Sequence, residues 1–151
     1  MSKSLDDHDK LRELLDREAI RDLPRRYCHY VWQEDVDAYF ELFSSDGWVA
    51  TEESQLLPRV QSREAFRELI EKTVTAIKPK PFIHNHVIEL CGPSSARGTC
   101  YVEVRSRGGD EGSVPRLMVG WYEDEYVKMD GNWKFKSRIA RFLEGYGRDE
   151  S

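Results

Sequence analysis

A chain of 151 residues with 23 Lys and Arg against 28 Asp and Glu carries a formal charge of −5. That length suits one domain burying about 70% of its unfolded surface, and 39% hydrophobic content with six Phe, seven Tyr and four Trp excludes a disordered chain. The acidic balance, with no dense Lys/Arg cluster, argues against a nucleic-acid partner. No apolar run approaches the roughly 20 residues of a membrane span, and Met1-Ser-Lys-Ser-Leu-Asp-Asp lacks the apolar stretch of a signal peptide. The expected location is therefore the cytoplasm, without membrane contact. Cys28, Cys91 and Cys100 are odd in number and lack Cys-x-x-Cys spacing, so they read as small apolar fillers rather than a disulfide or zinc set. Cys91 and Cys100 flank an expected turn and could face each other across it.

Helices come first. Over residues 11–34 the positions Leu11, Leu14/Leu15, Ile20, Leu23, Tyr27 and Tyr30/Val31 recur mostly at three and four, so the spacing predicts a helix. Pro24 interrupts it, and the run is either kinked or two helices. Asp35 reads as the N-cap of a second, short helix with Val36, Tyr39/Phe40 and Phe43 on one face, ended by Ser44-Ser-Asp-Gly47. Residues 48–53 fit a strand and 54–61 a loop. Ser62 caps a third helix that turns Phe66, Leu69/Ile70, Val74 and Ile77 inward, and Lys78-Pro-Lys-Pro81 stops it. Four runs rich in β-branched and aromatic residues follow at 82–90, 96–107, 117–129 and 133–142. They are separated by Gly92-Pro-Ser-Ser95, by a Gly-rich stretch over 107–115, and by Asp130-Gly131, a strong hairpin signal because that turn needs positive φ. The expected class is α+β: three N-terminal helices packed on a curved antiparallel sheet. A single domain spans 11–144, with flexible ends at 1–10 and 145–151.

Strict alternation puts His84, His86, Ile88 and Leu90 on one face of their strand, and Ile83, Asn85, Val87 and Glu89 on the other. In the next strand Ala96, Gly98, Cys100, Val102, Val104 and Ser106 oppose Arg97, Thr99, Tyr101, Glu103 and Arg105. Neither face is uniformly polar, so a second cover, such as another subunit, is expected and the chain reads as a homodimer or homo-oligomer.

In order along the chain stand Asp16-Arg-Glu-Ala-Ile20, Arg26-Tyr27, Glu34-Asp-Val-Asp37, Leu42-Phe-Ser-Ser-Asp46, Asn85-His-Val-Ile-Glu89, Gly120-Trp-Tyr-Glu-Asp124 and Asp130-Gly-Asn-Trp133, then Arg138 or Arg141. This succession over residues 11–142 resembles the nuclear-transport-factor-2-like superfamily, in particular its SnoaL-like branch. The resemblance implies a cone-shaped α+β barrel with a pocket between sheet and helices. It also implies relatives that include polyketide cyclases, scytalone-type and bile-acid dehydratases, ketosteroid isomerases and a dehydrochlorinase. Dehydratase-like members use an Asp five residues after the Tyr of the Arg-Tyr pair, and a His four residues before the strand Asn. Those positions are Trp32 and Pro81 here, and neither side chain can move a proton. Tyr27 matches the family's Tyr, which hydrogen-bonds a substrate carbonyl. Residues 104–107 with 119–124 also resemble the β-subunits of ring-hydroxylating dioxygenases, which are mainly structural.

His84 and His86 are the candidate proton-transfer groups, since imidazole titrates near neutrality. The alternatives are hydrogen-bonded structural histidines, or two ligands of a metal with Asp35, Glu52 or Glu103 as a third by type only; no metal site is expected. Tyr27 is the candidate oxyanion donor. Tyr30, Trp32, Tyr101, Trp121 and Arg141 are candidates for substrate contact, and Tyr122 is a possible wall residue. Aromatic residues at such spacings are as readily core. Asp35 and Asp37 read as cap residues and Asp124 as structural. A buried Arg138 or Arg141 opposite a carboxylate would be either a substrate anchor or a structural ion pair. Without a phosphate loop or nucleotide fingerprint, no cofactor is expected. The reading is a cofactor-free acid–base lyase, isomerase or cyclase acting on a small apolar oxygenated molecule. The alternative is a non-catalytic ligand-binding protein or structural subunit.

Overall fold

Asp6 starts the chain's first element by accepting a hydrogen bond from the Asp9 amide at 2.8 Å, as an N-cap should. The computed structural model describes residues 6–51, 58–60, 62–106 and 116–143. Residues 1–5, Glu52, the 107–115 stretch, the 145–151 tail and most of the 54–61 loop lie outside that range. Helix α1 (Asp7–Gln33) is one helix through Pro24, which is buried inside it. It ends where Glu34 takes a left-handed conformation and its N–H reaches the carbonyls of Tyr30 and Val31. Only its second half packs inward, through Ile20, Leu23, Tyr27, Cys28 and Val31; Leu11, Leu14 and Leu15 stay exposed, contrary to the continuous apolar stripe expected.

Asp35 caps α2 (Val36–Glu41), and Ser62 caps α3 (Arg63–Ile77), each through a side-chain oxygen and the amide three residues on. Arg63 ties these elements together, donating to the carbonyls of Phe40 and Ser44 at 2.9 and 2.8 Å. Five strands follow or interleave: β1 (Phe43–Thr51), β2 (Lys80–Gly92), β3 (Ser95–Ser106), β4 (Arg116–Met129) and β5 (Asn132–Phe142). Their order is β1-β5-β4-β3-β2, with β1 parallel to β5 and the other pairs antiparallel. The all-antiparallel expectation is thus corrected to a mixed, curved, unclosed sheet. Ser44-Ser-Asp-Gly47 lies within β1 rather than before it, across a register irregularity between Phe43 and Trp48. The Asp130-Gly131 turn has φ of 51° and 79°, as a tight hairpin between β4 and β5 requires.

The core lies between the helices and the inner face of the sheet. It is largely aromatic: Tyr27, Tyr39, Phe40, Phe43, Phe66, Tyr126 and Phe135 form a chain of tilted and edge-on rings, with centroids 4.8–6.4 Å apart. At the far end Asp16 of α1 accepts from Trp133 Nε1 at 2.9 Å and Lys128 Nζ at 3.1 Å, fastening the helix to the β4–β5 hairpin. Among the described residues, no helix is long and apolar enough to cross a membrane.

The phase of β2 departs from strict alternation. Asn85 has φ of 49°, and the register steps from His84↔Tyr101 to Val87↔Thr99, so two residues of β2 stand against Cys100 alone. This β-bulge flips every later side chain. His84 and Val87 face outward, while His86, Ile88 and Leu90 turn toward the core, so the two histidines do not share a face. Cys91 is exposed and Cys100 buried, so they do not meet across the turn.

Candidate active site

Between α1, α3 and the inner face of the sheet lies an apolar cavity of about 60 Å³. Its wall includes Val31, Ile70, Val74 and Ile77 from the helices, and Pro81, Val104, Met118, Ala140 and Phe142 from the strands. The polar groups in the described wall are Tyr27, Tyr39, Tyr122, Thr51 and Thr73. Tyr39 donates to the Tyr27 hydroxyl at 3.3 Å, and Tyr122 is a second hydroxyl partner of Tyr27. Burial raises the pKa of all three phenols, so each stays protonated at neutral pH. Because Tyr27 accepts from its neighbours, its own O–H is the donor left to meet an oxygen in the cavity.

Beneath these rings sits Arg138, fully buried on β5. It donates from Nε to Asp124 Oδ1 at 2.8 Å and from Nη2 to Oδ2 at 3.1 Å. Burial opposes the positive charge, but the facing carboxylate outweighs it and holds Arg138 well above an ordinary arginine. The guanidinium carbon lies 3.7 Å from the ring centre of Tyr122, 4.3 Å from Tyr27 and 4.6 Å from Phe135. Nη1 has no hydrogen-bond partner among the described residues, and the ring faces take its place. The carboxylate is completed by the Tyr126 hydroxyl, which donates to Asp124 Oδ2 at 2.9 Å. Since that proton is committed, His86 Nε2, 2.8 Å from the same oxygen, is the donor to Tyr126.

Of the sequence candidates, the fold brings Tyr27 and Tyr122 to the cavity. His84 lies on the outer face, half exposed, with Nε2 3.2 Å from Glu103 Oε1. His86 faces inward but is held by Tyr126 outside the cavity wall; its pKa is lowered to about 4 by burial and then by Arg138, Arg21 and Arg25. Tyr30 receives a hydrogen bond from Arg26 on the solvent side of α1. Tyr101 (47% exposed), Trp121 and Arg141 lie on the outer face, where Trp121 Nε1 and Arg141 Nε both reach Glu123, at 3.3 and 3.1 Å. The physical cause is strand parity: residues that alternate with buried Cys100, Tyr122 and Ala140 must point away from the helices.

Trp32 and Pro81 are placed together. The indole N–H of Trp32 donates to the Pro81 carbonyl at 2.9 Å, fastening the end of α1 to the start of β2. The two positions where the family resemblance puts an acid–base pair are thus neighbours, and a structural bond occupies them. Of the proposed metal ligands, Asp35 is spent on its cap and Glu103 on His84, and among the described residues no three His, Cys, Asp or Glu side chains converge. The site residues missed from the sequence are Tyr39, Thr51 and Thr73. Tyr39 was legible only as a helix-face aromatic, and nothing in the pattern marked the threonines.

No curated protein sequence is significantly similar to this chain. Among solved structures, a protein named as a candidate scytalone dehydratase from Novosphingobium aromaticivorans superposes with a TM-score of 0.80 at 22% identity, covering 94% of this chain and 92% of its own. A type 2 hexachlorocyclohexane dehydrochlorinase, LinA, gives 0.81 at 19% identity, with 94% and 93% covered. An NTF2-like protein with a cystatin-like fold, also from N. aromaticivorans, gives 0.75 at 22% identity over 95% and 94%. At such identities these likenesses establish the fold. The family model of the SnoaL-like domain matches residues 12–139, and the chain belongs to that family.

Proposed function

We propose that the chamber binds a small, largely apolar molecule through one oxygen and promotes cofactor-free lyase- or isomerase-type proton chemistry beside that oxygen. The observation that carries this reading is the trio of protonated phenols in an apolar cavity, backed by the buried Arg138 cation. As a water molecule takes a proton from the carbon beside a carbonyl, the negative charge developing on the carbonyl oxygen would meet the Tyr27 O–H in an apolar site, where a fixed donor is worth more than in bulk water. The dehydratase and dehydrochlorinase names of the structural relatives agree with that class. A cytoplasmic setting is part of the reading, consistent with Cys28, Cys91 and Cys100 being free thiols.

A second reading, binding without turnover, is favoured by one observation: no carboxylate or imidazole is found in the described cavity wall. The two are separated with small cyclic ketones and β-hydroxyketones as probes. Thermal stabilisation by a probe reports binding to the native state. Loss of water from a β-hydroxyketone appears as the absorbance of the conjugated enone. The lyase reading expects both signals, with Tyr27→Phe lowering kcat/KM by about 100-fold. Stabilisation without enone leaves only the binding role, and absence of both removes the proposal.

A further inference from the structure

One polar atom interrupts the apolar stripe that α3 turns to the chamber. Ile70, Thr73, Val74 and Ile77 recur at three and four, and all of them line the cavity. A valine would fill the Thr73 position with nearly the same shape and no oxygen. The hydroxyl hydrogen of Thr73 is not free to serve a ligand, because Oγ1 donates it to the Leu69 carbonyl one turn earlier, at 2.8 Å. Among the described residues this is the only hydrogen bond of that hydroxyl, so its oxygen keeps its lone pairs and can only accept. Tyr27 is the converse: its oxygen receives from Tyr39, which leaves its O–H to donate. The two groups come from different helices, α1 and α3, and reach the same apolar space.

We propose that the chamber's ligand carries a second polar group, a hydroxyl that donates to Thr73 Oγ1 while its carbonyl oxygen accepts from Tyr27. This rests on the binding mode given above and narrows the ligand class from ketones to hydroxyketones. Apolar contact has no direction, so it holds a small ligand without orienting it. One donor and one acceptor, fixed on separate helices, supply the orientation. A ligand hydroxyl brought against an apolar wall loses its bonds to water, and at Thr73 it recovers one. An ether oxygen at the same place has no hydrogen to give and meets Thr73 lone pair to lone pair. Thr73 is therefore a specificity-determining residue that selects for a ligand able to donate.

Ligand-observed NMR titration of the full chain tests this with cyclohexanone, with 3- and 4-hydroxycyclohexanone, and with the methyl ethers of the two alcohols. The wild type binds at least one hydroxyketone about fivefold or more tighter than its methyl ether, as one neutral hydrogen bond provides. Thr73→Val abolishes that preference and leaves cyclohexanone binding unchanged. Thr73→Ser keeps the acceptor and with it the preference. Tyr27→Phe weakens every probe yet preserves the ratio of alcohol to ether, because the carbonyl contact is common to all. If no probe binds the wild type, cyclohexanone included, the reading of the chamber itself fails and this inference falls with it. If cyclohexanone binds and neither alcohol is preferred over its ether, or if the preference survives Thr73→Val, the Thr73 assignment alone is overturned.

Discussion

Arg138 is the residue on which the interior depends. Its charge is held by one carboxylate and three ring faces, with no solvent exposure. Removing one partner leaves the other charged and buried, so Asp124→Asn or Arg138→Met should lower unfolding free energy by about 3–5 kcal/mol, read from urea midpoints. Replacing both at once should cost less than either alone. His86 adds a pH signature. Its folded pKa of about 4, set by burial and the facing Arg138, Arg21 and Arg25, lies below the ordinary value of about 6.5. As pH falls through 6.5 the unfolded chain binds a proton that the folded one refuses. Stability is therefore lost between about pH 6.5 and 4, then levels off, with a loss on the order of 1–2 kcal/mol once partial exposure is allowed for. His86→Gln, which keeps an N–H for Tyr126, should flatten the profile in that window. An identical profile in both proteins would contradict the assignment.

At the scale of elements, the Asn85 bulge decides the most. A period of two applied from 82 to 90 puts both histidines on one face, and a single inserted residue separates them. Asn tolerates a left-handed position better than most residues, but a single Asn in a strand pattern is too weak a signal to mark a bulge. Asn85→Val should cost about 1–2 kcal/mol, seen as a lowered melting temperature, whereas Asn85→Gly should be nearly neutral. Asp35, Ser62 and Asp130-Gly131 were legible because their chemistry is local and each acts where the pattern places it, whereas Asp6 caps α1 ahead of the apolar spacing and Asp37, read as a cap, pairs with Arg67 instead. Pro24 was legible as a disturbance and yet does not end α1. The helix's flank is buried around it, and tertiary packing outweighs one missing hydrogen bond.

For the whole molecule, the curved sheet produces two different surfaces from the same strands. The inner one, with α1 and α3, encloses the phenol-lined chamber; the outer one carries the row of Tyr101, Trp121 and Arg141. By itself the sequence determined the α+β class, most of the element order, the Asp35 and Ser62 caps, the tight hairpins and the SnoaL-like layout, because these follow from spacing and from residues acting on near neighbours. Which side of the sheet each candidate faces, the parallel pairing of β1, the meeting of Trp32 with Pro81, and the placement of Arg138 under Tyr27 and Tyr122 were decided only by the tertiary structure. Each of those depends on a bulge, a register or a contact between residues far apart in the chain, and no local pattern encodes such a distance.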